Sequence, residues 1–476
     1  MRLMLVEPPK DFWFIMGQYV PPPFGLLCLA AYLEEKYPEA EVEVVDSQAE
    51  GLDWHSLEDR VSESMPDVVA PSGMATSNAF YAVRVAELAK RVNPDVVTVL
   101  GGQHFTALAQ ETLATYPFVD YVVRGEGEAT LTDLVKALDA GGSPSGIEGL
   151  SYRSGGQVLH NPDRPLICDL DQLPPPSYVH VADHMKDYYF SLMGGDSKPF
   201  AILEGSRGCR HNCSYCSQWR FWRRSHRAKS PGRVVDEFEH LYTEYGSRFF
   251  WFADDNFGLG QRTEEICDGL IQRGLGDKIE WFCQVRVDDI VDHPEVLSKM
   301  RRAGATWMLV GFDNPSAEVL ASYKRSGVTE LRSRQAVELL RENSVFSQGT
   351  FIIGHRSDNH ESVEAVRRYA DELNPDIASF FVLTPFPGTD VYEEAVLGGW
   401  IEDTNWAHYD MVHAIMPTEH LSRVEVQQEL YDCYDSFFGS WPRRYKGITS
   451  GNPITRRTYE YLAKQALLMG LKSLVG

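Results

Sequence analysis

Short β-branched apolar runs alternate with amphipathic stretches over the first 140 residues, and the rhythm restarts near residue 199. In the first block the runs are RLMLVEP at the start, VEVVD (42–46), DVVAPS (67–72), VVTVLGG (96–102) and YVVRGEGE (121–128). Each ends in Gly, Pro, Ser or an acidic turn, as strands do. Between them, 24–37, 80–92 and 106–116 carry apolar residues at helical spacing. Strands that are apolar throughout are covered on both faces, which predicts a parallel, doubly wound α/β sheet of Rossmann-like type. Ligands of such sheets sit beyond the carboxyl ends of the strands. The loops Ser72–Asn78, Gly101–His104 and Gly125–Glu128 leave those ends and form the expected rim of one site.

From 141 to 198 turn-forming sequences (GGSPSG, RSGG, NPDRP, LPPPS) break the pattern, with the linking segment itself at 143–198. They predict a linking, crossing segment after a first domain of 1–142. Six strand-like runs follow at 200–208, 248–257, 279–289, 306–313, 347–355 and 377–389, with helical stretches between them. Ser230-Pro231 starts one of these helices, with Ser as N-cap and Pro at the first helical position. Crossover connections make the six strands parallel. A closed barrel needs eight, so the pattern predicts an open, partial (β/α)6 barrel over 199–395, its chemistry at the carboxyl ends of the strands. Over 396–476 the chain turns helical and aromatic, with Trp400, Trp406, Tyr409, Tyr434, Phe437 and Trp441 among others. This reads as a C-terminal helical extension packed on the barrel and partly over its mouth.

Composition alters this picture little: 43% hydrophobic and 24% charged residues are ordinary for a globular chain. A net charge of −23 disfavours nucleic acid and anionic membranes as main partners. No apolar run reaches the ~18–20 residues that span a bilayer, and the N-terminus turns acidic and proline-rich at once. A cytoplasmic protein without a membrane span is expected. Eight cysteines are present. Those at 28, 168, 267, 283 and 433 are scattered and read as buried small hydrophobes. Cys209, Cys213 and Cys216 fall together, directly after the first barrel strand. Such clustering points to metal or redox chemistry, because disulfides are rare in cytosolic proteins.

Three thiolates on one short loop can hold three irons of a cubane and leave the fourth open, much as a catalytic zinc keeps an open position. A zinc site completed by His211 or a remote residue is the competing reading, although zinc's usual paired spacing is missing. The C-x3-C-x2-C loop, with Tyr215 just before its last Cys, resembles the signature of the radical S-adenosylmethionine (SAM) superfamily. The resemblance implies a [4Fe–4S] cluster on Cys209, Cys213 and Cys216, with SAM chelating the open iron. One electron, from a donor such as a ferredoxin or flavodoxin, then cleaves SAM to methionine and a hydrogen-abstracting 5′-deoxyadenosyl radical. The same resemblance implies SAM contacts at Tyr215, at Asp254 and Asp255 in the run Ala253–Phe257, at Gln284 and Arg286, at Gly311 and Asp313, and at Ile353 within Phe351–Gly354. Plainer roles compete: the acids at 254–255 can cap the next helix, and Arg286 can pair with Asp288 or Asp289. The basic, aromatic run WRFWRRSHRAK (219–229) reads either as a grip on substrate, corrin or the cysteine loop, or as a solvated face.

At the first turn of the N-terminal domain neither GxGxxG nor GxxxxGK[ST] occurs, which argues against a dinucleotide or a P-loop. Gly101-Gly102 and the loop Ser72–Ser77 resemble instead the B12-binding fold. That implies cobalamin contacts at Ser72, Thr76, Ser77, Gly101, Gly102, Gly125 and Glu126. The domain order is similar to the cobalamin-dependent radical SAM family. Within it, FWFADDNF, ICDGLIQRGL, FIIGHRSDNHES and LTPFPGT look most like the anaerobic magnesium-protoporphyrin IX monomethyl ester cyclase and its relatives. Two departures stand out. The D-x-H-x-x-G motif that gives many B12 domains a cobalt ligand is missing, and Glu7-Pro8-Pro9-Lys10-Asp11 stands near its place. The lower face of cobalamin would then be covered by the Ser72–Asn78 loop, with His104 either a ligand or a loop hydrogen-bonding residue. His355–Asn359 also replaces a Gly-Leu-Pro-Gly-Glu-like turn. The resemblance implies an enzyme acting on a hydrophobic, tetrapyrrole-like or lipid-like substrate, by oxidative cyclisation or by methylcobalamin-dependent C-methylation. A non-catalytic cobalamin- or metal-binding regulator is the reading from another class.

Overall fold

A computed structural model describes residues 1–10, 19–73, 75–192 and 198–475, with side chains to 467. Asp11 and Met74, which belong to two of the predicted loops, lie outside the described residues.

The N-terminal sheet contains β1 (Arg2–Glu7), β2 (Glu41–Asp46), β3 (Val68–Pro71), β4 (Val97–Gly101), β5 (Tyr121–Val123), β6 (Leu150–Ser154) and β7 (Gln157–His160), in the order β2-β1-β3-β4-β5-β6-β7. The first five are parallel, and β6 and β7 are antiparallel. Leu3, Met4, Leu5 and Val6 of β1 are all buried, because helices cover both faces of a parallel sheet. The order reverses between β1 and β3, and the crevice at such a switch point opens at the carboxyl ends.

Two helices escape the apolar pattern. Trp54–Ser64 buries only Leu57 and Val61, and its start is marked by Asp53, whose side chain accepts from Ser56 N at 2.8 Å. Gly127–Asp139 follows the Gly125 loop. The stretch 106–116 divides at Leu108 into two short helices, Gln103–Ala107 and Ala109–Thr115. The linker reading of 143–198 needs correction over 150–160. Gly155 and Gly156, both at positive φ, turn a hairpin there that extends the sheet.

Six parallel strands form the second sheet in sequential order: β8 (Phe200–Leu203), β9 (Phe249–Phe252), β10 (Glu280–Arg286), β11 (Ala305–Asp313), β12 (Phe346–Ile353) and β13 (Ile377–Val382). Helices separate them, including Pro231–Glu244, whose Ser230 side chain accepts from Arg233 N. Large aromatic residues fill this barrel with their polar tips satisfied: Trp281 donates to Ala303 O and Trp307 to Gln348 Oε1, each at 2.9 Å. The crossing segment ties the two sheets together. Tyr178 Oη donates to Ile202 O of β8 at 2.9 Å, and Tyr188 Oη donates to Asp46 of β2 at 2.8 Å. Helices Arg423–Gly439, Trp441–Ile448 and Pro453–Val475 complete the chain. Among the described residues no helix is long and apolar enough to cross a membrane.

The scattered cysteines divide. Cys267, Cys283 and Cys433 are buried as expected, whereas Cys28 is half-buried and Cys168 exposed. Cys168 sits in the turn-rich crossing segment, where no core is at hand to cover it.

Candidate functional site

The loop that carries Cys209, Cys213 and Cys216 leaves the carboxyl end of β8 and is held at several points. Asp254 at the end of β9 is fully buried and accepts from Gly205 N at 2.7 Å and Ser206 Oγ at 2.5 Å. Arg262 donates to Gly205 O at 2.7 Å, and Ser206–Arg207 pairs antiparallel with Arg227–Ala228. Gly208 follows at φ +89°, and a side chain there would strike Ser225 O at 2.3 Å. Only glycine lets the loop enter so tightly. Beyond it, Trp219 Nε1 donates to Cys213 O at 3.1 Å and Ser214 N to Tyr323 O at 3.0 Å.

All three thiols are free, Cys213 buried and its neighbours half-buried. Burial raises the Cys209 and Cys216 thiols, Cys216 to about 12, and the charges of Cys213 and Asp255 add to it. Thiols raised as Cys209 and Cys216 are ionise only beside a strong positive charge, as a metal centre provides. Among the described residues no three His, Cys, Asp or Glu side chains surround a single ion position. A cubane does not ask for that, since each thiolate takes a different iron. The donor set fits.

The residues expected to meet SAM fall into two groups. Asp254, Arg286 and Asp313 are occupied by the protein itself. Asp254 braces the loop as above. Arg286 Nε donates to Asp288 at 2.9 Å and Nη2 to Ser326 O, the plainer of the roles foreseen for it. Asp313, at φ +59° in the left-handed region, pairs with Arg325 and accepts from Tyr215 Oη at 3.2 Å. Arg325 in turn donates to Gly311 O at 3.0 Å. The second group is less tightly held, although Ile353 is fully buried and Asp255 still accepts from Gly208 N and the Trp222 side chain. The Gln284 side chain is half-buried at the end of β10, and Ile353 ends β12. Asp255 is raised to about 7, first by burial and then by Asp254. Beside it, Asn256 Oδ1 is buried and accepts no hydrogen bond. An unmet buried acceptor is costly, and this one lies in the run where the resemblance places a SAM contact. Sequence reading passed over Asn256 itself, because nothing in the string distinguishes it from the two acids before it.

Of the readings open for the basic run 219–229, the structure favours a grip on the cysteine loop, with only Arg223, Arg224 and Ala228 exposed. Arg220 pairs with Asp390 and Glu393, Arg227 with Glu126, and Lys229 with Glu237 at 2.9 Å. It fastens the cysteine loop to its surroundings.

On the N-terminal rim, Gly102 at φ +94° admits the helix Gln103–Ala107, and Gly125 N donates to Thr106 Oγ1 at 3.1 Å. Ser72 N is bonded to Val6 O, and Thr76–Asn78 form one helical turn. His104 is buried, 3.3 Å from Thr76 Oγ1, with its ring against Trp406 of the C-terminal extension. Glu126 is not available to a ligand: it accepts from Arg207, Arg227 and Ile167 N. Glu128 takes the second arm of Arg207 at 2.6 Å. The two predicted sites therefore meet. Gln103, next to Gly102, donates to Gln218, two residues beyond Cys216, and Ser217 reaches Gln103 at 3.4 Å.

Comparison with known proteins agrees with this geometry. The B12 binding domain family matches residues 16–135 and the Radical SAM superfamily residues 203–370. The chain is 34% identical to an uncharacterized methyltransferase of Pyrococcus horikoshii, over 92% of each chain. It is 31% identical to the anaerobic magnesium-protoporphyrin IX monomethyl ester cyclase of Cereibacter sphaeroides, over 92% of this chain and 70% of the cyclase. Its fold is similar to that of the radical SAM methyltransferase TsrM from Kitasatospora setae, solved with tryptophan and a SAM analogue (TM-score 0.72, 17% identity, 98% of this chain and 99% of that one). It is equally similar to the cobalamin-dependent SAM radical enzyme OxsB, solved with aqua-cobalamin and SAM (TM-score 0.73, 19% identity, 98% and 71%). A B12-type sheet pinned to a three-cysteine barrel, with relatives of this identity along nearly the whole chain, places the protein in the family of cobalamin-dependent radical SAM enzymes.

Proposed function

We propose that the protein methylates a carbon atom of a hydrophobic, tetrapyrrole-like or lipid-like substrate, drawing on SAM, a [4Fe–4S] cluster and cobalamin. The observation that carries this reading is the contact between Gln103 of the cobalamin rim and Ser217–Gln218 of the cysteine loop. It supports two cofactor sites lying side by side, as a methyl carrier and a hydrogen-abstracting centre serving one substrate require. When bound, the cofactors supply the hard chemistry, reductive cleavage of SAM and a transferable methyl group.

The chain's own residues do the holding. Cys209, Cys213 and Cys216 ligate the cluster. Asn256 Oδ1 accepts from the methionyl ammonium of SAM, and Gln284 offers an amide to its ribose. Ser72, Thr76, Ser77 and Gly101–Gly102 line the cobalamin rim, where small side chains allow a planar macrocycle to approach the backbone. His104 and Trp406 close that rim against water. The match to a methyltransferase over 92% of both chains supports methylation.

Oxidative cyclisation of a porphyrin ester is the second reading, favoured by cyclase relatives at 31–32% identity. Product mass separates the two. Anaerobically reconstituted protein, given SAM, a low-potential reductant and candidate apolar substrates, is expected to yield a product heavier by one CH2 unit. An oxo-bearing ring without that gain would establish cyclisation. Bound corrinoid with no 5′-deoxyadenosine formed under any condition would favour a regulator.

A further inference from the structure

The C-terminal end of the chain carries a surface that the cofactor sites leave unused. Helix Trp441–Ile448 turns Gly447 inward, where a side chain would collide with the Tyr459 ring. Arg443 also faces the body of the protein, stacked 3.6 Å from the Phe437 ring and paired with Asp371 at 2.9 Å. The opposite stripe, at positions i, i+3, i+4 and i+7, consists of Trp441, Arg444, Tyr445 and Ile448, and it faces water. Trp441 is 77% exposed and Tyr445 72%. Apolar residues at this spacing ordinarily mark the side of a helix that packs. Leu467 on the next helix is exposed as well.

Charge gives this face its partner. Residues 440–476 hold seven Lys or Arg and one acid, Glu460, in a chain whose net charge is −23. Arg443 and Arg457 spend theirs on Asp371 and Glu280. Arg444, Lys446, Arg456 and Lys464 are exposed and pair with no carboxylate among the described residues. Exposed Trp and Tyr among unpaired cations is the composition of interfacial anchors, with rings at headgroup depth and ammonium or guanidinium groups on the phosphates. We propose that this face docks the enzyme on an anionic lipid surface. The acidic remainder does not forbid it, because salt screens charges more than about 8–10 Å away. A lipid surface would also present an apolar substrate directly to the enzyme, although the docking stands whichever reaction the enzyme performs.

Sedimentation with phospholipid vesicles tests this. The full chain is expected to pellet with phosphatidylcholine vesicles containing ~30% phosphatidylglycerol and to remain in solution with pure phosphatidylcholine. Trp441→Ser/Tyr445→Ser and Arg444→Glu/Lys446→Glu should each weaken that binding about tenfold or more. Circular dichroism and iron content should be unchanged, since these side chains lie on the surface. Failure to pellet with anionic vesicles, or equal pelleting with both kinds, would overturn the proposal. So would a solution dimer that the Trp441→Ser/Tyr445→Ser variant dissociates, which would assign the face to a second copy of the chain.

Discussion

Arg207 Nη2 donates to Glu128 Oε1 at 2.6 Å, joining the segment that precedes the three cysteines to the first turn of helix Gly127–Asp139 of the N-terminal domain. Both side chains are buried, and Arg207 also binds Glu126 and Glu204 at 2.8 Å. Burial alone would raise the Glu128 carboxyl, but Arg207 outweighs it and holds the group below the ordinary range. This fork is what a guanidinium does and an ammonium cannot, since its donors are fixed in one plane. It ties the N-terminal domain to the segment that leads into the cysteine loop.

Removing the arginine strands the buried Glu128 and takes one partner from Glu126, which keeps Arg227, and from the half-buried Glu204. Arg207→Met is expected to cost about 3–5 kcal/mol, as when one partner of a buried ion pair is deleted. Adding Glu128→Gln should return part of that loss, with a coupling of about 1–3 kcal/mol between neighbours. Denaturant unfolding of the four proteins in this cycle measures it. Simple addition of the two single effects would show that the fork does not act as a unit.

Asn256 offers a test of the SAM site that leaves the cluster alone. Asn256→Leu is expected to keep iron at about four per chain after anaerobic reconstitution while weakening SAM by roughly tenfold or more, the worth of one hydrogen bond to a charged group. Cys213→Ala, in contrast, should lose both the cluster and its EPR response to SAM. Equal SAM affinity in wild type and Asn256→Leu would remove the residue from the site.

Much of this was legible in the string. Apolar strands covered on both faces announced two parallel sheets, and three cysteines in eight residues announced the cluster loop. What sequence could not tell was which polar residues are consumed by the fold. Glu126, Asp254, Arg286 and Asp313 sit at strand ends, as ligands do. Yet each is engaged by Arg207, Ser206, Asp288 or Arg325, partners that only the tertiary fold or a tight local turn brings within reach. The hairpin at 150–160 was hidden for a different reason. Only its first strand is well buried, so the alternation that marks a strand is weak there.

The Asp313–Arg325 pair lends itself to a direct measurement. Arg325 is buried and its charge is met by Asp313, with Tyr215 beside both. Asp313→Ala should destabilise the protein by about 3–5 kcal/mol through the uncompensated guanidinium. Tyr215→Phe removes one hydroxyl from the network and should cost about 1 kcal/mol. Thermal unfolding of the apo-proteins reads both. A larger loss in Tyr215→Phe than in Asp313→Ala would mean that the hydroxyl, and not the ion pair, organises this corner.

Acid sensitivity should trace to His104. Burial lowers its imidazole from 6.5 to about 4, so the folded protein refuses a proton that the unfolded chain accepts. Its contribution is therefore whole above pH 6.5 and lost as pH falls toward about 4. At pH 5 the loss is about 2 kcal/mol, because stability falls by about 1.4 kcal/mol per pH unit between the two pKa values and pH 5 lies about 1.5 units below 6.5. His104→Gln keeps a neutral polar group near Thr76 and under Trp406 and takes no proton. Wild type and variant are expected to differ by about 2 kcal/mol less in stability at pH 5 than at pH 7.5, by denaturant unfolding of the apo-proteins. An equal difference at both pH values would mean that the imidazole is already hydrated, and that Trp406 does not seal the rim.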